Sequence, residues 1–508
     1  MLRFYDTLSR SLRRFEPVSS GRVGVYACGP TVYRQPHIGN YRTFLFNDLL
    51  VRWLRAKGYD VRFVMNLTDV DDKTINGAAR EGVPLAEFTA PVIDRFFADL
   101  DRLGAARADA YPRATHYIEQ MVALVARLIE AGHAYVGDDG SVYYDVSSFE
   151  TYGRLSRLDA EGIQVGAGMA SREPLPGAAA VDAAAAAATE DDDGDGDGDD
   201  ALADEYAKED ARDFVLWKRA RDPDRQVGAV WQTPWGEGRP GWHLECSAMS
   251  MDELGETFDI HTGGEDLVFP HHEDEIAQSE GATGKPFVHY WLHSKHLRID
   301  DAKMSKSVGN VVGVSDVVDR DGHAPAVLRY ALLAGHYRRE LNFSARALDD
   351  ARAALRRLVE FVERLERTPV REGGEAPLAD VAARAWTAFE EALDDDLNTP
   401  AALAALFNLV REGNSALDRV DAVDPRDRDA MRQTIARMDG VLNVIELFRS
   451  AASGAADEVA DWVEERIAAR QSARKRRDFA AADAIRDELI AAGIVLEDTP
   501  QGPRWRKG

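Results

Sequence analysis

Apolar and polar positions are organised in short blocks near the N-terminus. Arg22-Val23-Gly24-Val25-Tyr26-Ala27 is an apolar run closed by Cys28-Gly29-Pro30 and reads as a buried strand. Over 41–57 the apolar positions change to three- and four-residue spacing. Phe44, Leu45, Phe46, Leu49, Leu50, Trp53 and Leu54 predict a helix with a wide buried face, closed by Gly58. A second strand is predicted over 60–67. Strand, helix, strand opens a doubly wound parallel sheet, in which ligands sit at the carboxyl ends of the strands. Helical spacing returns over 85–104 and 117–132, a strand is expected over 141–146, and further strands over 257–261 and 287–292. From 345 onward Leu355, Leu358, Val359, Val362 and Leu365 keep helical spacing and predict a separate all-α bundle. Residues 455–508 read as a helical hairpin with a short extended tail.

Residues 166–206 break the pattern. Ala183 to Ala188 run uninterrupted, then comes Asp191-Asp192-Asp193-Gly194-Asp195-Gly196-Asp197-Gly198-Asp199-Asp200. Such a stretch has too little apolar surface to offset the entropy of ordering, so a disordered surface insertion is expected. A calcium loop starting at Asp191 would need glutamate at its twelfth position, where Leu202 stands.

The chain has 508 residues, 45% of them hydrophobic, enough for about three or four structural units. No apolar run reaches the roughly 18 residues of a membrane span. Met1-Leu2-Arg3-Phe4-Tyr5-Asp6 has no basic and apolar leader, so a cytoplasmic protein without membrane contact is expected. Two cysteines, Cys28 and Cys246, argue for a reducing compartment rather than a disulfide scaffold. Acidic residues number 88 against 62 basic ones, a net charge of −26. That mean field opposes a polyanionic partner unless high internal salt screens it, so a halophilic protein is expected.

Two strings carry candidate chemistry. Pro36-His37-Ile38-Gly39-Asn40 falls between the first strand and the first helix. There an imidazole and an amide meet a helix N-terminus, whose dipole and free N–H groups favour phosphate. Lys303-Met304-Ser305-Lys306-Ser307 follows the strand region of the sheet's second half, and two lysines on a loop can stabilise a departing pyrophosphate. Each string alone reads as a solvated loop; the two in this order favour nucleotide chemistry.

The two strings are similar to the HIGH and KMSKS signatures of class I aminoacyl-tRNA synthetases. Tyr26-Ala27-Cys28-Gly29-Pro30-Thr31-Val32-Tyr33, Asn66-Leu67-Thr68-Asp69-Val70-Asp71-Asp72-Lys73 and Gly241-Trp242-His243-Leu244-Glu245-Cys246-Ser247-Ala248-Met249 resemble the cysteinyl branch of that family. So do Phe258-Asp259-Ile260-His261, Phe269-Pro270-His271-His272-Glu273-Asp274-Glu275 and Ile494-Val495-Leu496-Glu497-Asp498-Thr499-Pro500. The resemblance covers nearly the whole chain outside the insertion. It implies an α/β fold: a Rossmann-type doubly wound parallel sheet catalytic domain with an inserted subdomain, then an all-α anticodon-binding helix bundle and a small C-terminal helical unit. The boundaries expected are 1–110 and 241–344 for the halves of the catalytic domain, 111–240 for the inserted part, 345–450 for the bundle and 455–508 for the anticodon unit. The implied activity joins L-cysteine to tRNA(Cys) at the expense of ATP, which enters with Mg2+. A monomer is expected.

His271 and Glu275 stand four apart on a helix expected to begin near Pro270, so both face one way; His272, turned by about 100°, is expected to point elsewhere. By themselves Cys28 and Cys246 read as small buried hydrophobes. The resemblance implies that Cys28, Cys246, His271 and Glu275 are the ligands of one Zn2+ ion, a donor set of ordinary zinc chemistry. Zinc takes a thiolate and neglects serine's hydroxyl, so no editing domain is required. The resemblance also places Thr68 and Trp242 at the amino acid, and Pro30, Thr31, His37, Ile38, Gly39, Asn40, Gly263, Gly264 and Asp266 at the nucleotide. His37, Asn40, Lys303 and Lys306 would act on the phosphates.

Asn40 departs from the second histidine of HIGH; its amide donates hydrogen bonds but cannot carry a proton's charge. Candidate positive surface for tRNA is Arg470, Arg474, Lys475, Arg476 and Arg477, with Arg504, Arg506 and Lys507. One rival is a cysteine:amino-sugar ligase, which shares the fold and zinc site but lacks the terminal unit. Another is a non-catalytic tRNA-binding relative, which would lose KMSKS or metal ligands.

Overall fold

A computed structural model describes residues 1–157, 213–300, 302–303, 310–373, 377–476, 478–491, 494–499 and 502–507. The insertion 166–206 and the string Met304 to Ser307 lie outside these described residues. The chain divides into two compact units, Met1–Val444 and Ile445–Gly508.

The first unit is built on a four-stranded parallel sheet. Its strands are β1 (Arg22–Ala27), β2 (Asp60–Met65), β3 (Phe258–Gly264) and β4 (Val288–Ser294), in the spatial order β2-β1-β3-β4. Val25 of β1 lies opposite Phe63 of β2 on one side and Ile260 of β3 on the other. The apolar runs are near-continuous because both faces are covered. Helix α1 (Ile38–Ala56) joins β1 to β2 and buries Tyr41, Phe44, Leu45, Leu49, Leu50, Trp53 and Leu54. It begins three residues before the expected start, so the His-Ile-Gly-Asn string forms its cap and first turn rather than a preceding loop. After β2 the chain returns to the other side of β1 as β3. The two crossovers therefore diverge between β1 and β3, which opens a crevice at their carboxyl ends.

Between β2 and β3 lie the helices Asp72–Glu81, Leu85–Arg102 and Ile118–Ala131, then an antiparallel five-stranded sheet. The strand expected over 141–146 is Val142–Tyr144, an inner strand of that sheet. Next to the crevice, Leu297–Ile299 pairs antiparallel with Ala302–Lys303 and parallel with Leu341–Phe343. The helices Ala345–Arg367, Leu378–Asp394, Thr399–Leu417 and Pro425–Leu442 follow, with Leu355, Leu358, Val362 and Leu365 buried as their spacing predicts. In the second unit, helices Ile445–Lys475 and Phe479–Ala491 lead into strands Ile494–Thr499 and Gly502–Lys507, which pair antiparallel. The expected extended tail is thus a hairpin.

Candidate active site and metal centre

Cys28 is the first residue past β1, and its position is set by Gly29. The Gly29 N–H donates to Asn66 Oδ1 at 2.8 Å. A Cβ on Gly29 would lie 1.7 Å from the Asn66 carbonyl oxygen, so no side chain fits there. Two further bonds lay the turn onto the end of β2: Thr68 N–H donates to the Pro30 carbonyl at 3.2 Å, and Val32 N–H to the Thr68 carbonyl at 3.0 Å. Thr31 bridges Thr68 in the same ladder, and Thr68 Oγ1 accepts from Asn66 Nδ2 at 3.1 Å.

Helix α2 (Trp242–Leu254) packs beneath this turn and presents Cys246, whose Sγ is 3.8 Å from Cys28 Sγ. Glu275 lies in the first turn of α3 (Glu273–Thr283), and its Oε1 is 3.1 Å from His271 Nε2 and 3.9 Å from Cys28 Sγ. The donor atoms of Cys28, Cys246, His271 and Glu275 all lie within 4.8 Å of one another, and every one of these residues is buried. Both thiols are free.

Two expectations fail here. The helix starts at Glu273, not near Pro270, after an irregular turn over Val268–His272. His272 does not point away: its Nε2 is 3.3 Å from Cys28 Sγ. Both histidines precede the regular helix, so the 100° step between helical neighbours does not apply to them, and both imidazoles reach Glu275 Oε1, at 3.1 and 3.9 Å. His261 Nε2 also meets Glu275 Oε2, at 2.9 Å, so Cys28, His261, His272 and Glu275 form a second overlapping group within 4.8 Å.

The two groups share Cys28 and Glu275 and differ in joining them to Cys246 and His271 or to His261 and His272. His271 Nδ1 is 3.0 Å from His243 Nδ1, leaving Nε2 for the cluster; a ligating histidine commonly uses its other nitrogen in this way. His272 is arranged in the same way, its Nδ1 2.7 Å from His293 Nε2 and its Nε2 on Cys28 Sγ, and His293 Nδ1 is 2.8 Å from Thr7 Oγ1. His261 stacks on Trp291, with ring centroids 4.7 Å apart. Sequence reasoning missed His243, His261, His272 and His293; the only signal was how many of the 12 histidines fall in the family strings. Burial raises the Cys28 thiol and the Glu275 carboxyl well above their ordinary values, raises the Cys246 thiol and drives His271 well below its own. Anionic donors with so strong a desolvation penalty call for a cation among them, and the cluster is chemically able to bind a metal ion. Trp242, 37% exposed at the start of α2, stacks on the His271 ring at 4.2 Å and forms a wall beside it.

The nucleotide candidates come from both walls of the same crevice, His37 and Asn40 at the start of α1 and Gly263 and Gly264 at the end of β3. His37 caps α1: its Nδ1 accepts from Asn40 N–H at 3.3 Å, and Asn40 Oδ1 accepts from His37 N–H at 3.0 Å. Asn40 is therefore half of a reciprocal cap. Ile38 N–H donates to the Val312 carbonyl at 2.9 Å, and His37 bridges Gly313, which ties the chain beyond the lysine-rich string to this turn. Burial and the nearby Arg34 lower His37 to about 4, so it is neutral at pH 7. Gly263 and Gly264 end β3. A Cβ on Gly263 would meet the His272 ring at 2.7 Å, and one on Gly264 would meet Asp266 Oδ1 at 2.4 Å. Lys303 ends the short strand that pairs with Leu297–Ile299, and Lys306 lies outside the described residues. In the second unit Arg470 is buried, which removes it from the candidate RNA-facing surface, whereas Arg474 and Arg476 are exposed.

Comparison with known proteins matches residues 14–353 to the family of tRNA synthetases class I (C) catalytic domains. Residues 388–448 match the DALR domain, and 457–506 the cysteinyl-tRNA ligase anticodon binding domain. A cysteine–tRNA ligase of Chlamydia pneumoniae is 44% identical over 99% of this chain and 98% of its own. One of Chromohalobacter salexigens is 43% identical over 99% of both. Among solved structures, Mycobacterium tuberculosis methionyl-tRNA synthetase in complex with methionyl-adenylate superposes with a TM-score of 0.56 at 17% identity, covering 87% of this chain and 93% of that one. A ternary LeuRS–tRNA–LeuAMS complex from Agrobacterium radiobacter gives 0.58 at 14% identity, covering 86% of each. At these identities the structural likeness concerns the fold.

Proposed function

Because the chain belongs to the cysteine–tRNA ligase branch of the class I aminoacyl-tRNA synthetases, we propose that Cys28, Cys246, His271 and Glu275 hold one Zn2+ ion beside the amino-acid site. The enzyme itself activates L-cysteine with ATP and charges tRNA(Cys); the anticodon-binding match at 457–506 separates it from the amino-sugar ligase. Zinc held there supplies an affinity for sulfur as thiolate that a serine hydroxyl does not share.

The chain's own residues do the rest. Trp242 walls the side-chain pocket against the His271 ring, and Thr68, fixed by Asn66, borders the amino acid. Pro30, Thr31, Ile38 and Gly39 shape the floor of the ATP site with Gly263, Gly264 and Asp266. The first turn of α1 directs its dipole at the phosphates. Neutral His37 acts there as a hydrogen-bonding group, not as a cation. Lys303 and Lys306 stabilise charge on the departing pyrophosphate. No covalent enzyme intermediate is required; the cysteine carboxylate attacks the α-phosphate and a terminal ribose hydroxyl of the tRNA then takes the acyl group. Among the described residues no helix is long and apolar enough to cross a membrane. From the family and the two reduced thiols we infer a monomeric cytoplasmic enzyme.

The observation that carries the zinc proposal is that the chain's only two thiols converge with His271 and Glu275 within 4.8 Å. Metal analysis of the purified protein should find one zinc per chain. Cys246→Ser should lose it, with cysteine-dependent ATP–pyrophosphate exchange reduced at least about a hundredfold. A Cys246→Ser protein that keeps both its zinc and its preference for cysteine over serine would overturn the assignment.

A further inference from the structure

Arg42 lies just past the first turn of α1 and is buried. Its Nη1 donates to the carbonyls of Lys295 and His296, each at 2.6 Å. Its Nη2 donates to the His336 carbonyl at 3.2 Å and to that of Arg339. All four acceptors are backbone. Burial lowers this guanidinium to about 10, with Glu265 and Glu340 opposing the shift, so it stays charged at neutral pH.

What Arg42 grips is the exit of β4. Beside it, Thr43 Oγ1 and Ser294 Oγ are 2.7 Å apart. His296 N–H donates in turn to Glu265 Oε1 at 3.1 Å, and Lys295 Nζ pairs with Glu265 Oε2. Glu265 sits between Gly264 and Asp266, in the turn that ends β3. One guanidinium and one carboxylate therefore join the helix that carries His37 to the opposite wall of the crevice.

We propose that Arg42 is a positioning residue for ATP, setting the distance between the His37 end of α1 and the Gly264–Asp266 turn by holding the backbone at Lys295 and His296. The inference rests on assigning that turn to the nucleotide. A lysine would keep the charge, but a single ammonium cannot replace a planar fork that serves four carbonyls. A misplacement of about 1 Å in such a site costs up to about a hundredfold in rate. Arg42 touches none of Cys28, Cys246, His271 and Glu275, and the nearest link to them runs through His293 and His272, so the larger effect should fall on ATP.

Pyrophosphate exchange with the full chain tests this, with KM measured separately for ATP and for cysteine. Arg42→Lys, and independently Glu265→Gln, should raise the KM for ATP about tenfold or more and leave that for cysteine within about twofold. Equal shifts in both constants, or an unchanged ATP constant in a folded Arg42→Lys protein, would overturn the positioning role. Asp266→Ala measured in parallel separates the two claims: if it leaves the ATP constant unchanged, the nucleotide assignment of the turn fails instead.

Discussion

Gly29 offers no ligand atom, yet the cluster around Cys28 depends on it. What a methyl group would strike there is the backbone oxygen of Asn66, 1.7 Å away, not the tip of a flexible side chain. Relief requires prising the Cys28–Pro30 turn away from Asn66–Thr68, and Cys28 moves with it. Gly29→Ala should therefore cost about 3 kcal/mol or more, the upper part of the range for overpacking, and should lower the bound metal as well. Denaturant midpoints and metal content check both, and a loss below about 1 kcal/mol with full metal occupancy would refute the crowding argument. The cluster residues were legible in the sequence to different degrees. His271 and Glu275 share a face by local spacing, whereas the cysteines by themselves read as buried hydrophobes and enter the ligand set only through the family resemblance. His272 was not legible, because its approach to Cys28 spans 244 positions of chain and no local pattern encodes it. Gly29 reads from sequence only as a turn residue, because the carbonyl it must accommodate lies just past the end of the neighbouring strand.

Among the secondary-structure elements, α1 illustrates the same division. Its buried face follows from apolar positions three and four apart. Its first turn does not, because His37, Gly39 and Asn40 have poor helix propensity and are held by the reciprocal cap. The five-stranded sheet of the inserted region was mostly invisible for a related reason: strands such as Ala134–Val136 and Trp231–Thr233 are three residues long and take their stability from pairing across the sheet. One contact of α1 makes a prediction of its own. Asp48 Oδ2 accepts from Arg329 Nη2 at 2.5 Å, and Oδ1 accepts from Arg52 Nε and Ala106 N–H, each at 2.8 Å. Arg329 also donates to the carbonyls of Leu103 at 3.1 Å and Leu442 at 2.7 Å. Helix α1, helix Pro325–Leu333 and the end of Pro425–Leu442 thus meet on one buried ion pair. Removing one partner strands the other, at a cost of about 3–5 kcal/mol. Asp48→Asn leaves the buried Arg329 guanidinium without a carboxylate, while partly exposed Arg52 can turn to water, and should lose about that much. Adding Arg329→Met should restore part of it because the buried charge is then gone. Equal losses in the single and double variants, measured by chemical denaturation, would show that packing rather than charge holds the junction.

Across the whole molecule the charge is unevenly spread, and this bears on how so acidic a protein meets RNA. Residues 445–508 carry 12 acidic and 11 basic side chains, so nearly all of the −26 lies in Met1–Val444. The segment 166–206 alone carries 12 acidic and 1 basic. Anticodon binding by the near-neutral C-terminal unit escapes most of the repulsion, but the approach of the acceptor arm to the first unit does not. That repulsion is felt over about 10 Å at 0.1 M salt and only about 3 Å at 1 M. Replacing 166–206 with a short Gly/Ser linker should therefore lower the KM for tRNA(Cys) in dilute buffer and leave cysteine-dependent pyrophosphate exchange unchanged. The intact protein should in turn gain charging activity as salt rises from dilute towards molar, until loss of its own phosphate contacts sets in. Steady-state charging across a salt series distinguishes the causes. If the segment acts only through its field, the intact and shortened proteins must converge in molar salt. A difference that survives there has to come from direct contact between the segment and the RNA or the enzyme, because a field screened to a few ångströms can no longer reach across solvent.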